Sequence, residues 1–147
     1  MNQKSENGTV IYWMGRLNSS RAWHGAARLA QMQELFHGRQ TAVLLSGHGR
    51  HLQSASELAQ IWHIPYPLVS ASFLRANLPF SELPLLQESL NVVWVLDTAG
   101  CVRYRRVEVL PVTAVNQAEL YQAIQTPVLR HWSFPKKQIM TQAALAC

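Results

Sequence analysis

The chain has 147 residues, enough for one domain around a single core and too few for two comfortable ones. Apolar residues make up 48% and charged residues only 14%, so part of the surface is expected to lie under a partner. The net charge of +5 favours anionic partners, but apart from Arg103, Arg105 and Arg106 the 13 Lys and Arg are scattered, which ranks nucleic-acid binding low.

Residues 1–9 are polar and carry no apolar stretch of the kind that marks a secretory signal, so they are expected to form a flexible N-terminus. No apolar run approaches the ~18–20 residues that span a bilayer. A cytoplasmic location without a membrane partner is the expectation. Val10-Ile11-Tyr12-Trp13-Met14, closed by Gly15, reads as a strand buried on both faces. From Ser20 to Gly38, Ala22, Ala26, Leu29, Ala30, Met32, Leu35 and Phe36 recur at helical spacing, which predicts one long helix with Ser19 or Ser20 as N-cap. Thr41-Ala42-Val43-Leu44-Leu45 is a second buried strand. A helix over Leu52, Ala55, Leu58, Ala59 and Trp62 must end before Pro65. This alternation argues for parallel strands joined by helical crossovers.

A third short strand is expected within 66–70, and 74–89 is the least regular stretch. Val92-Val93-Trp94-Val95-Leu96 is the best strand in the chain, and Asp97-Thr98-Ala99-Gly100 turns it into an antiparallel partner over 102–109. Ala118, Leu120, Tyr121 and Ile124 mark a last helix over 117–125. The domain is thus expected to span 10–125, with 126–147 as a tail along the surface.

This βαβα unit followed by a β-hairpin and a terminal helix is the element order of the thioredoxin-like fold, an α/β architecture with a mixed central sheet. The phrases Val69-Ser70-Ala71-Ser72-Phe73-Leu74-Arg75, Val92-Val93-Trp94-Val95-Leu96-Asp97 and Val107-Glu108-Val109-Leu110-Pro111-Val112-Thr113 resemble the bacterial thiol peroxidase branch of the peroxiredoxins. That resemblance implies a peroxidatic cysteine in the first turn of the first helix, where helix dipole and an arginine favour the thiolate. Laid on the family pattern, Ser20 falls at the hydroxyl position and Trp23 at the cysteine position. Asn91 stands where the family has an arginine, and the resolving cysteine falls near Gln60 or Ile61. Arg28 matches a family arginine. Tryptophan cannot act as a thiolate. The resemblance therefore implies a degenerate site and a non-catalytic interaction module that binds a protein partner or a second copy of itself.

Other constellations are weighed beside it. Ser46-Gly47-His48-Gly49-Arg50-His51 is a glycine-rich turn between strand and helix, and Gly47, His48, Gly49, Arg50 and His51 would suit an anion held on backbone N–H groups. An enzyme using that turn on a phosphate or small molecule is the first alternative. A histidine-phosphatase reading is least favoured, since the first strand ends Trp13-Met14-Gly15-Arg16 with no histidine nucleophile. Nucleic-acid binding through Arg103, Arg105 and Arg106 completes the set. The histidines show no ligand spacing, the glutamates no pairing, and no metal or cofactor is expected. Cys101 reads as an incidental, exposed thiol at the hairpin tip. Trp13, Trp62 and Trp94 read as core, and Trp23 and Trp132 as an exposed apolar patch.

Overall fold

The structure, a computed structural model, describes residues 8–49, 52–108 and 113–125. Five strands form one sheet: β1 (Thr9–Trp13), β2 (Ala42–Ser46), β3 (Leu68–Val69), β4 (Val92–Leu96) and β5 (Val102–Val107), in the order β3-β2-β1-β4-β5. β1 pairs parallel with β2, and β2 with β3, while β4 lies antiparallel to both β1 and β5. The sheet is therefore mixed, with the hairpin strand at one edge, as the chain order implies.

Alternation along the strands divides the core into two. Val10, Tyr12 and Met14 of the first strand and its extension face one side together with Val93 and Val95. Ile11 and Trp13 face the other with Val92, Trp94 and Leu96. Against the first side pack α1 (Ser20–Ala30), α2 (Gln33–Gly38), α3 (Leu52–Ile61) and α5 (Gln117–Gln125). Against the second lie α4 (Ala71–Asn77) and a 3-10 segment over Phe80–Leu85.

Two elements depart from the sequence expectation. The long helix over 20–38 is broken at Gln31–Met32 into α1 and α2. The Leu29 carbonyl, which a continuous helix would offer to Gln33, instead accepts from Met32 N at 3.0 Å and from the Tyr66 hydroxyl at 2.6 Å. The stretch after β3 is more regular than its sequence suggests. Ser70 caps α4 by accepting from Phe73 N at 3.1 Å, and Pro79 starts the 3-10 segment. The tail over 126–147, Trp132 included, lies outside the described residues.

The 3-10 segment is pinned to the sheet by charge. Glu82 is almost fully buried, accepts from Trp94 Nε1 at 2.9 Å and meets Arg105 Nη1 at 3.0 Å through both oxygens. Trp94 and Arg105 face each other across β4 and β5, so one carboxylate clamps both strands from above. Removing one member of such a pair leaves a buried charge alone. Arg105→Ala is expected to lower unfolding free energy by about 3 kcal/mol, read from urea denaturation midpoints.

Candidate functional site

The described residues frame one open cleft of about 340 Å³ where the chain leaves β1 and enters α1. Past Trp13, Met14 N donates to Ser46 O at 2.8 Å and Gly15 turns the chain at a φ of +61°. A Cβ on Gly15 would lie 2.4 Å from Leu90 O, so only glycine lets this turn press against the 88–90 segment. Ser19 N then donates to Arg16 O at 3.1 Å, and α1 begins at Ser20 with no side-chain cap.

Beneath the cleft lies a polar pin. The Tyr12 hydroxyl, on β1, donates to Ala22 O in the first turn of α1 at 3.1 Å and accepts from Asn91 Nδ2 at 3.2 Å. It reaches the helix only because position 25 is glycine: a Cβ there would sit 2.3 Å from the Tyr12 oxygen. Burial pushes the Tyr12 phenol upward, opposed in part by the Asn91 hydrogen bond. It stays a neutral donor.

The cleft is lined by Arg16, Arg21, Glu88 and Glu108, with Ser19, Ser89, Asn91 and Met14 between them. Arg16 faces Glu88 at 3.7 Å and Arg21 faces Glu108 at 3.3 Å. Both arginine side chains are more than half exposed, whereas that of Glu108 is 10% exposed. Among the described residues no thiol or imidazole lines the cleft, and those residues offer it fixed charges of both signs.

Of the residues singled out from the sequence, Ser20, Trp23 and Asn91 gather at this end of the molecule. Ser20 is exposed at the start of α1, and Asn91 lines the cleft. Trp23 is 1% exposed, which corrects its expected place on a surface patch; its indole Nε1 donates to Leu17 O at 2.8 Å. Trp62 is only half-buried, edge-on to His24, while Trp13 and Trp94 are core as expected. Arg28 is exposed in the last turn of α1, about 12 Å along the axis from Ser20 at 1.5 Å per residue.

The glycine-rich turn performs packing and backbone bonding. Gly47 lies over Leu17, whose Cγ would be 2.5 Å from a Cβ there, and His48 N donates to Gly15 O at 2.8 Å. Gly49 is exposed, and Arg50 and His51 lie outside the described residues. The arginine cluster is neutralised within the fold. Arg103 pairs with Asp97 at 2.8 Å, Arg105 with Glu82 at 3.0 Å and Arg106 with Glu119 at 3.0 Å. Cys101, expected as an exposed thiol, is half-buried and disulfide-bonded, its partner lying outside the described residues.

Sequence reasoning missed Arg16, Arg21, Glu88 and Glu108 as a group. Glu88 and Glu108 are isolated in the chain, and no local signal joins them. Glu108 N donates to Asn91 O at 2.9 Å just beyond the Val92–Val107 register, and that pairing alone brings the β5 end to the cleft.

No protein-family model matches the chain, and no curated protein matches it either. Solved structures do. The chain is similar to the 2-Cys peroxiredoxin of Plasmodium vivax in reduced form, at 16% identity and a TM-score of 0.67, over 89% of this chain and 70% of that one. It is also similar to the bacterioferritin comigratory protein of Xanthomonas campestris, at 12% identity and a TM-score of 0.64, over 83% and 80%. The peroxiredoxin 6 of Arenicola marina matches at 14% identity and a TM-score of 0.60, over 82% of this chain, which spans only 61% of that one. The fold is thus the thioredoxin-like fold of the peroxiredoxins. Among the described residues no helix is long and apolar enough to cross a membrane.

Two outcomes follow from the pin and the phenols around the core. Gly25→Ala is expected to cost about 2 kcal/mol by overpacking against Tyr12, measured by chemical denaturation. Burial pushes the Tyr66 phenol from 10.0 up to about 12, and moves Tyr12 and Tyr104 in the same direction. A raised folded-state value means that the contribution is fully present below pH 10 and is lost as pH rises towards 12. Denaturation midpoints are expected to fall across that window, with tyrosinate absorbance lagging behind that of the unfolded chain.

Proposed function

We propose that this chain is a non-catalytic interaction module on a peroxiredoxin scaffold, which binds a protein partner at the α1 end of the sheet. The observation that carries the reading is Trp23. In the position that the peroxiredoxin resemblance gives to the peroxidatic cysteine stands an indole, only 1% exposed and donating to Leu17 O, so the place of the nucleophile is filled by packing. Asn91, at the position of a family arginine, serves the Tyr12 pin instead of a peroxide. Ser20 and Arg28 remain as relics of the site, one at the helix start and one near its end.

Surface charge supports a partner at this end. Arg103, Arg105 and Arg106 are engaged within the fold, whereas Arg16 and Arg21 are more than half exposed at the cleft. A second copy of the chain is the other partner that this reading admits. A cytoplasmic location belongs to the same proposal.

The test is a peroxide-consumption assay with thioredoxin as reductant. No consumption above the uncatalysed rate is expected, for hydrogen peroxide or an alkyl peroxide. Turnover abolished by Cys101→Ser would overturn the reading. For the binding half, a protein that co-purifies with the wild-type chain is expected to be lost with the double variant Arg16→Glu, Arg21→Glu. Undiminished recovery with that variant would move the interface away from this end.

A further inference from the structure

We draw no further inference here: the strongest candidate, the exposed apolar surface that Phe73 on α4 and Phe80 at the start of the 3-10 segment present on the second side of the sheet, carries none because nothing among the described residues shows what covers it.

Discussion

The hydroxyl of Tyr12 is the point through which the sheet holds its first helix. It ties β1 to the backbone of α1 at Ala22 and, through Asn91, to the approach of β4, three elements far apart in sequence. Buried polar groups are retained only when their hydrogen bonds are made, and here each bond also fixes a position. Gly25 opens the space for the tyrosine, Gly15 lets the loop after β1 press on the 88–90 segment, and Gly47 makes room for Leu17. The cleft is the space left between these contacts.

The same contacts account for the chemistry that is present. In a thiol peroxidase the first turn of this helix presents a sulfur to the ligand. Here that turn is closed from below by the indole of Trp23 and bounded from outside by arginines and glutamates, and the proposal of recognition without catalysis rests on that arrangement. The basic character of the chain is misleading in this respect. The arginines of β5 are paired inside the fold, and the tail over 126–147 carries Arg130, Lys136 and Lys137 with no acidic residue.

The central strands β1 and β4 were readable from the sequence because they are buried on both faces. Val92–Leu96 is a continuous apolar run, and the structure forms a strand over those five residues. The helix over Gln117–Gln125 was equally clear from its spacing. What could not be read depends on distant partners. The break between α1 and α2 is made by the hydroxyl of Tyr66, 37 residues from the carbonyl it takes. The seven residues of α4 are too few to show a period, although Ser70 before them and Pro79 after them were local signals. Trp23 with Ala26 and Ala30 lies at helical spacing on the apolar stripe, so its burial could have been inferred. The pairing of Arg21 with Glu108 could not, since only the β4–β5 register brings Glu108 to the cleft.

The measurement that bears most directly on this account is a double-mutant cycle between Tyr12→Phe and Asn91→Ala, read from unfolding free energies. If the Tyr12 hydroxyl joins the helix to the β4 approach as the structure has it, each single change destabilises and the pair is coupled by about 1 kcal/mol. Strictly additive losses would contradict the pin, and with it the explanation of why the cleft stands where it does.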